Sequence, residues 1–144
     1  MNVQEAIDRL EIQQQLANYA NGIDSGDWDL YRAVFTEDAE IDYTRSVPLR
    51  GTPAEISAAL EPSFAAIPFA QHYITNLSFA FTGDRCVVKA YFYQPILMTA
   101  EAGAGHWYGH YVHDFVRTPD GWKSERLVEH PGHIIDPRQA LAGT

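Results

Sequence analysis

The sequence lacks most features that mark secreted, membrane or nucleic-acid-binding proteins. Its 144 residues include a single cysteine, Cys86, so no internal disulfide and no multi-cysteine metal motif can form. Ten Lys and Arg residues stand against nineteen Asp and Glu, and no basic run is present to neutralise a phosphate backbone. No apolar run approaches the roughly 20 residues that span a bilayer, and the polar N-terminus does not resemble a signal peptide. We therefore expect a cytoplasmic protein with no nucleic-acid or membrane partner.

Glycine and histidine motifs for cofactors and metals are also missing. Gly103, Gly105 and Gly109 do not form a G-x-G-x-x-G between a strand and a helix, and neither a phosphate loop nor a G-x-S-x-G elbow occurs. His106 and His110 fall on one predicted strand, where positions i and i+4 lie roughly 13 Å apart, too far for one ion. The sequence therefore predicts no cofactor and no metal.

What the chain does have is material for one core. Hydrophobic residues make up 46% of the sequence, and this length suits a single domain, which we expect to span residues 1–144. Apolar spacing and capping residues predict helices over about residues 4–24, from Asp27, and over about residues 53–66. Period-two patterns and turn signals predict strands over residues 40–44, 69–81, 86–99, 105–118 and 122–130.

Helices followed by a run of long strands are typical of the α+β class. We expect a cone-shaped half-barrel, in which a curved antiparallel or mixed sheet carries about three N-terminal helices on its concave side. The strands are rich in aromatic residues, which fit core packing, an oligomer interface or the lining of a pocket. Because they exceed what one pocket can bury, we also predict a homodimer or homotrimer formed through the outer face of the sheet.

Asp24 and His72 are the candidates for acid–base chemistry. Asp24 follows Ile23 at the end of the apolar stripe of the first helix, and His72 opens a strand in which alternation groups it with Ile74, Asn76 and Ser78. A buried carboxylate beside an imidazole orients the ring and favours its protonated form, giving a base that works near neutral pH. The alternative is a solvated turn aspartate and a hydrogen-bonded core histidine.

Several short motifs together resemble a known family. The segment from Tyr19 to Asp29, the Asp42-Tyr43 strand, the start Gln71-His72-Tyr73 and the closing residues 120–123 are similar to the SnoaL-like branch of the nuclear-transport-factor-2-like superfamily. Within that branch, the chain resembles scytalone dehydratase and hexachlorocyclohexane dehydrochlorinase.

The resemblance implies roles for individual residues. Asp24 would orient His72, His72 would remove a proton next to the leaving group, and Tyr43 would polarise a substrate carbonyl. The expected substrate-binding residues are Tyr19, Ile23, Trp28, Tyr91, Phe92, His110 and Tyr111. The chain departs from the family where a second pocket histidine would fall, near Tyr91 and Phe92, so the general acid is not identified.

We expect a cofactor-independent lyase or isomerase of the dehydratase type that acts on a small hydrophobic, aromatic or cyclic molecule. A polyketide cyclase would use the same acid and base groups. A non-catalytic module that binds a hydrophobic ligand or a protein is the alternative from a different class, because folds of this kind host both outcomes.

Overall fold

The structure is a computed structural model that describes residues 1–142, so the last two residues of the expected domain lie outside it. The helices are α1 (Val3–Ser25), α2 (Trp28–Ala33), α3 (Pro53–Ala66) and α4 (Pro137–Ala142). The strands are β1 (Phe35–Asp42), β2 (Arg50–Gly51), β3 (Phe69–Ala70), β4 (Tyr73–Thr82), β5 (Arg85–Leu97), β6 (Gly105–Thr118) and β7 (Gly121–Ile135).

Local signals set both ends of helix α1. The Asn2 side chain accepts a hydrogen bond from the backbone N–H of Glu5, and Gly26 closes α1 in the left-handed conformation, at φ 71°. Gly22 lies within α1 and does not end it. A Cβ at Gly22 would lie 2.8 Å from the backbone nitrogen of Tyr31, so this glycine lets α2 pack directly on α1.

Helix α3 has the predicted bounds, and capping residues set its start as predicted. The Thr52 side chain accepts from the backbone N–H of Glu55, the Glu55 carboxylate accepts from the backbone N–H of Thr52, and Pro53 occupies the first turn. This capping box fixes where α3 starts after the short strand β2.

The sheet is mixed and curled into a half-barrel, which confirms the expected α+β architecture. Its strand order is β2-β1-β7-β6-β5-β3, and β4 also pairs with β5. Strand β1 runs parallel to β7, and the other pairs are antiparallel. Three strand predictions have wrong bounds. Strand β1 already begins at Phe35, and β7 continues through Pro131 to Ile135 along β6. The strand predicted over residues 69–81 is divided into β3 and β4, so His72 lies between two strands instead of opening one. Helix α4 was not predicted.

A bulge in β4 changes which side chains face the helices. Asn76 has a positive φ of 55°, and the pairing with β5 shifts register between Thr75 and Ser78. His72 and Ile74 are more buried than Tyr73 and Thr75, but beyond the bulge the more buried positions are Leu77, Phe79 and Phe81. The expected grouping of His72 with Asn76 and Ser78 is therefore wrong.

The core lies between the helices and one face of the sheet, called here the inner face. One cluster packs residues of α1 against β5, β6 and β7, with Ile12, Leu16, Phe115 and Trp122 fully or almost fully buried. A second cluster joins the end of α1 to α2, α3 and β1, and contains all four buried tyrosines of the described residues. The opposite side is called the outer face. Within residues 1–142 no helix is both long and apolar enough to cross a membrane.

Candidate active site

The Asp24 carboxylate and the His72 imidazole are in direct contact. Asp24 lies in the last turn of α1, and His72 lies in the link between β3 and β4. Asp24 Oδ1 lies 2.6 Å from His72 Nδ1, and Asp24 Oδ2 accepts a 2.8 Å hydrogen bond from the His72 backbone N–H. The two side chains are 19% and 4% exposed, respectively. Two contacts to one carboxylate fix both the backbone and the ring of His72.

This arrangement determines which ring nitrogen faces a ligand. An ionised carboxylate only accepts hydrogen bonds, so His72 Nδ1 carries a proton and donates a hydrogen bond to Asp24. In the neutral ring, Nε2 is then left with a lone pair. The free nitrogen is consequently the one that can take a proton.

His72 lines a cavity of about 400 Å³ between the sheet, α1, α3 and the loop after β1. The apolar part of its wall comes mostly from that loop, from α3 and from the ends of β5 and β6. These residues are Ile23, Val47, Pro48, Leu49, Ala59, Leu60, Phe64, Ile67, Ile96, Met98 and Trp107. The polar part consists of Tyr19, Tyr43, Ser46, Ser63, His72, Gln94, Tyr111 and Glu129. In the part of the chain that the structure describes, no lysine or arginine lines this cavity.

Three tyrosines form a buried hydrogen-bonded chain beside His72. The Tyr43 hydroxyl lies 2.7 Å from that of Tyr19 and 3.0 Å from that of Tyr31. Tyr19 also packs edge-on against the rings of His72 and Tyr111. Burial raises the pKa of these three tyrosines and of Tyr111 well above the ordinary value, so their hydroxyls stay neutral.

Gln94 and Glu129 are two cavity residues that the sequence analysis missed. Gln94 lies on β5 among inward-facing Ala90, Phe92 and Ile96, and this break in an apolar period-two pattern was a usable signal. Glu129 was harder to find, because the β6–β7 pairing shifts register next to Phe115 and reverses the alternation that starts at Trp122.

The Glu129 side chain is buried, and within residues 1–142 it forms no salt bridge. The residue is 8% exposed, lies opposite Tyr111 on β6, and accepts a hydrogen bond from the Ser46 hydroxyl. Burial raises the pKa of the Glu129 carboxyl, although the Ser46 hydrogen bond and the charge of His72 act in the opposite direction.

Four of the expected substrate-binding residues do not line the cavity. Tyr91 and His110 are cross-strand neighbours on the outer face, whereas His72 faces inward, so their expected role in this pocket is wrong. Phe92 stacks behind Tyr111 with ring centroids 4.5 Å apart, and Trp28 is buried between Tyr31 and Phe64. The structure does place Tyr19, Ile23, Tyr43, His72 and Tyr111 together around the cavity.

The other strand histidines have different surroundings. His110 stacks on His130 with ring centroids 4.6 Å apart, and His106 bonds the Tyr93 hydroxyl. As outer-face residues, His106 and His110 cannot replace His72 as a base in this cavity. Among residues 1–142, no three His, Cys, Asp or Glu side chains converge as a metal site requires.

A second cleft, of about 610 Å³, adjoins the other side of Asp24. It is lined by Trp28, Glu61 and the backbone turn at Gly26, and it shares Ile23, Phe64 and Ile67 with the cavity. Asp24 thus lines a more polar cleft, whereas its partner His72 lines the more apolar cavity.

Comparison with known proteins places this fold and site in a family. The SnoaL-like domain matches residues 4–128, which is most of the chain. The chain belongs to the SnoaL-like family. It is also 35% identical over 133 residues to the uncharacterised protein Rv2910c of Mycobacterium tuberculosis, covering 90% of this chain and 88% of that one.

Solved structures of other SnoaL-like and related proteins share the fold. A candidate scytalone dehydratase from Novosphingobium aromaticivorans superposes with a TM-score of 0.84 at 20% identity, covering 94% of this chain and 91% of that one. A hexachlorocyclohexane dehydrochlorinase, LinA-type3 from Novosphingobium barchaimii, superposes with a TM-score of 0.79 at 17% identity, covering 91% and 93%. The resemblance seen in the sequence is confirmed, and at these identities it is a likeness of fold.

Proposed function

We propose that this protein is a cofactor-independent lyase or isomerase that removes a proton from carbon in a small hydrophobic molecule. His72 Nε2 is the base, and Asp24 is the residue that orients it. The observation that carries this proposal is the double contact of Asp24 with the ring and backbone of His72 at the wall of a cavity. A base held in one orientation and one tautomer is what proton abstraction requires. The enzymes among the structural neighbours support the same reaction class.

Tyr43 stabilises the negative charge that develops on the substrate. When Tyr19 and Tyr31 both donate to the Tyr43 oxygen, the Tyr43 proton is free to point at a carbonyl in the cavity. Linked hydroxyls polarise one another, so Tyr43, which accepts from the other two tyrosines, becomes a stronger donor as charge grows on the substrate. Tyr31 is a positioning residue in this scheme.

The cavity favours a neutral substrate with a ring. Its volume of about 400 Å³ suits a molecule of one or two rings, and its wall is largely apolar. The described residues around it offer no lysine or arginine to an anionic group, so an anion in this largely apolar cavity would lack a cationic partner. Cyclic hydroxy ketones and halogenated cyclic compounds meet these requirements.

His72→Gln tests the assignment of the base. The glutamine keeps most of the shape, but it cannot remove a proton, so turnover should fall roughly 10²-fold or more with little change in ligand affinity. The measurement is deuterium exchange at the carbon next to the carbonyl, over a panel of cyclic ketones, because exchange reveals proton abstraction even without elimination. Asp24→Asn should also slow exchange, since an amide does not select the Nδ1-protonated tautomer.

His110→Gln is the matched control, because it makes the same change on the outer face. It should exchange at the wild-type rate. If exchange survives His72→Gln unchanged, His72 is not the base. If the wild type binds these compounds but never exchanges them, the protein is a binding module.

A further inference from the structure

The cavity has a second titratable group that the base and its orienter leave unused. Of the buried polar side chains on the inner face, His72, Gln94 and Glu129 line the cavity, and Glu129 is the only carboxylic acid among its lining residues in the described chain. A buried carboxyl without a cationic partner is costly as an anion, so such a group needs an explanation.

The Glu129 carboxyl is held so that one oxygen remains available. Oε1 accepts the Ser46 hydroxyl, and within residues 1–142 no protein hydrogen bond engages Oε2. The titratable groups that face Glu129 are His72 from the β3–β4 link, Tyr43 from the loop after β1, Tyr31 from α2 and Tyr111 from β6. None of them is a permanent cation, so nothing locks the carboxyl in its ionised form.

We propose that Glu129 is the general acid that protonates the leaving group, and that this completes the acid–base pair with His72. This inference rests on the proposed function. The two groups belong to different walls of one cavity, His72 before β4 and Glu129 on β7, so a substrate between them can meet both at once. The raised pKa of Glu129 supports the role, because a general acid must hold its proton near neutral pH.

The step balances without any other reactant. His72 Nε2 takes the proton from the carbon next to the carbonyl, and the electron pair of that C–H bond forms the new C=C bond. The neighbouring C–O bond breaks, and its oxygen takes the proton of Glu129 and leaves as water. The imidazolium and the carboxylate then return to their starting forms when one proton passes from His72 to Glu129 through solvent.

Leaving groups of different basicity test Glu129 separately from His72. The probes are cyclic β-hydroxy ketones and their β-chloro counterparts. Glu129→Gln keeps the volume and can still accept from Ser46, but it has no proton to give. Elimination of water should therefore fall roughly 10²-fold or more, while elimination of chloride and deuterium exchange should stay within a few fold of wild type.

Glu125→Gln is the matched control on the same strand, because Glu125 binds Arg85 outside the cavity. It should leave both eliminations unchanged. In the wild type, the rate of water elimination should fall as pH rises through the pKa of Glu129. The pH–rate profile of Glu129→Gln should lack this decrease. A difference infrared spectrum should show a neutral carboxyl band at pH 7 that Glu129→Gln lacks.

The outcomes separate the two proposals. Exchange by the wild type, together with equal loss of water by wild type and Glu129→Gln, would overturn the role of Glu129 and leave His72 as the base. Absence of the neutral carboxyl band would overturn it as well. A wild type that shows no exchange with any probe would overturn the proposed function and the role of Glu129 with it.

Discussion

The inner and outer faces of the sheet are built from the same strands and carry the same kinds of residue. On β6, Tyr111 and His113 point inward, while Tyr108 and His110 point outward. Inward residues pack under the helices and are buried, whereas outward tyrosines such as Tyr91 are 45% exposed. Residue type alone therefore does not separate site residues from surface residues in this protein. The side on which each residue lies does.

The two faces also differ in how strongly burial lowers the pKa of a histidine. Complete burial lowers the pKa of His113 to about 3, and its Nδ1 bonds the Ser124 hydroxyl. On the outer face the pKa of His110 is lowered by partial burial and by the charges of His130, Lys89 and Arg45. His113 and His110 thus both favour the neutral form, but of these two only His113 is fully removed from water.

Truncating an inner-face aromatic residue should have the largest effect on stability. Phe115→Ala removes a ring that is 1% exposed and packs between His113 and the α1 residues of the first cluster. We expect the free energy of unfolding to fall by about 3–5 kcal/mol, measured by urea denaturation. The control Val87→Ala on the outer face should cost less than about 0.5 kcal/mol. Similar losses for the two variants would contradict the distinction between the faces.

The buried histidine predicts a pH effect of intermediate size. Below pH 6.5 the unfolded chain takes a proton on residue 113, whereas the folded protein does not until pH approaches about 3. Stability is therefore lost as pH falls, by about 1.4 kcal/mol between about pH 7.5 and about pH 5.5 for this one group. His113→Gln should flatten this part of the profile, measured as unfolding free energy against pH. His110→Gln should keep most of it, and an unchanged slope in His113→Gln would contradict the prediction.

Changes on the outer face should have the smallest effect on the fold and a clear effect on assembly. We propose that the chain forms a homodimer or homotrimer through this face, where Tyr73, Tyr91 and Tyr108 are exposed together with stacked histidines. Light scattering should give two or three times the chain mass of 16.2 kDa. Tyr91→Asp should reduce the mass to that of one chain while the chain remains folded, as checked by circular dichroism. A wild-type mass of one chain at micromolar concentration would contradict the assembly.

Local sequence signals predicted the helices well and the strands less well. The N-caps Asp27 and Thr52 act through contacts within a few residues, so they can be recognised in the sequence. The start of β1 and the end of β7 depend on partner strands that are distant in the sequence, and both bounds were misplaced. Pairing supplies hydrogen bonds to segments whose own pattern is weak.

The α+β class could be predicted from the sequence, because it depends on residue type, order and short-range periodicity. The family resemblance rests on short motifs, and it is this resemblance that favoured the pair Asp24 and His72, whose contact joins residues 48 positions apart. Tertiary structure decided which side chains share the cavity. The bulge in β7 reverses the alternation of inward and outward residues and so brings Glu129 into the site. The bulge in β4 does the same within β4, and it places Leu77 and Phe79 on the more buried side instead of Asn76 and Ser78. Tyr91 and His110 lie on the outer face because of their position in the β5–β6 pairing. A bulge shifts every later residue of its strand to the opposite face, and the register that produces it is set by the partner strand.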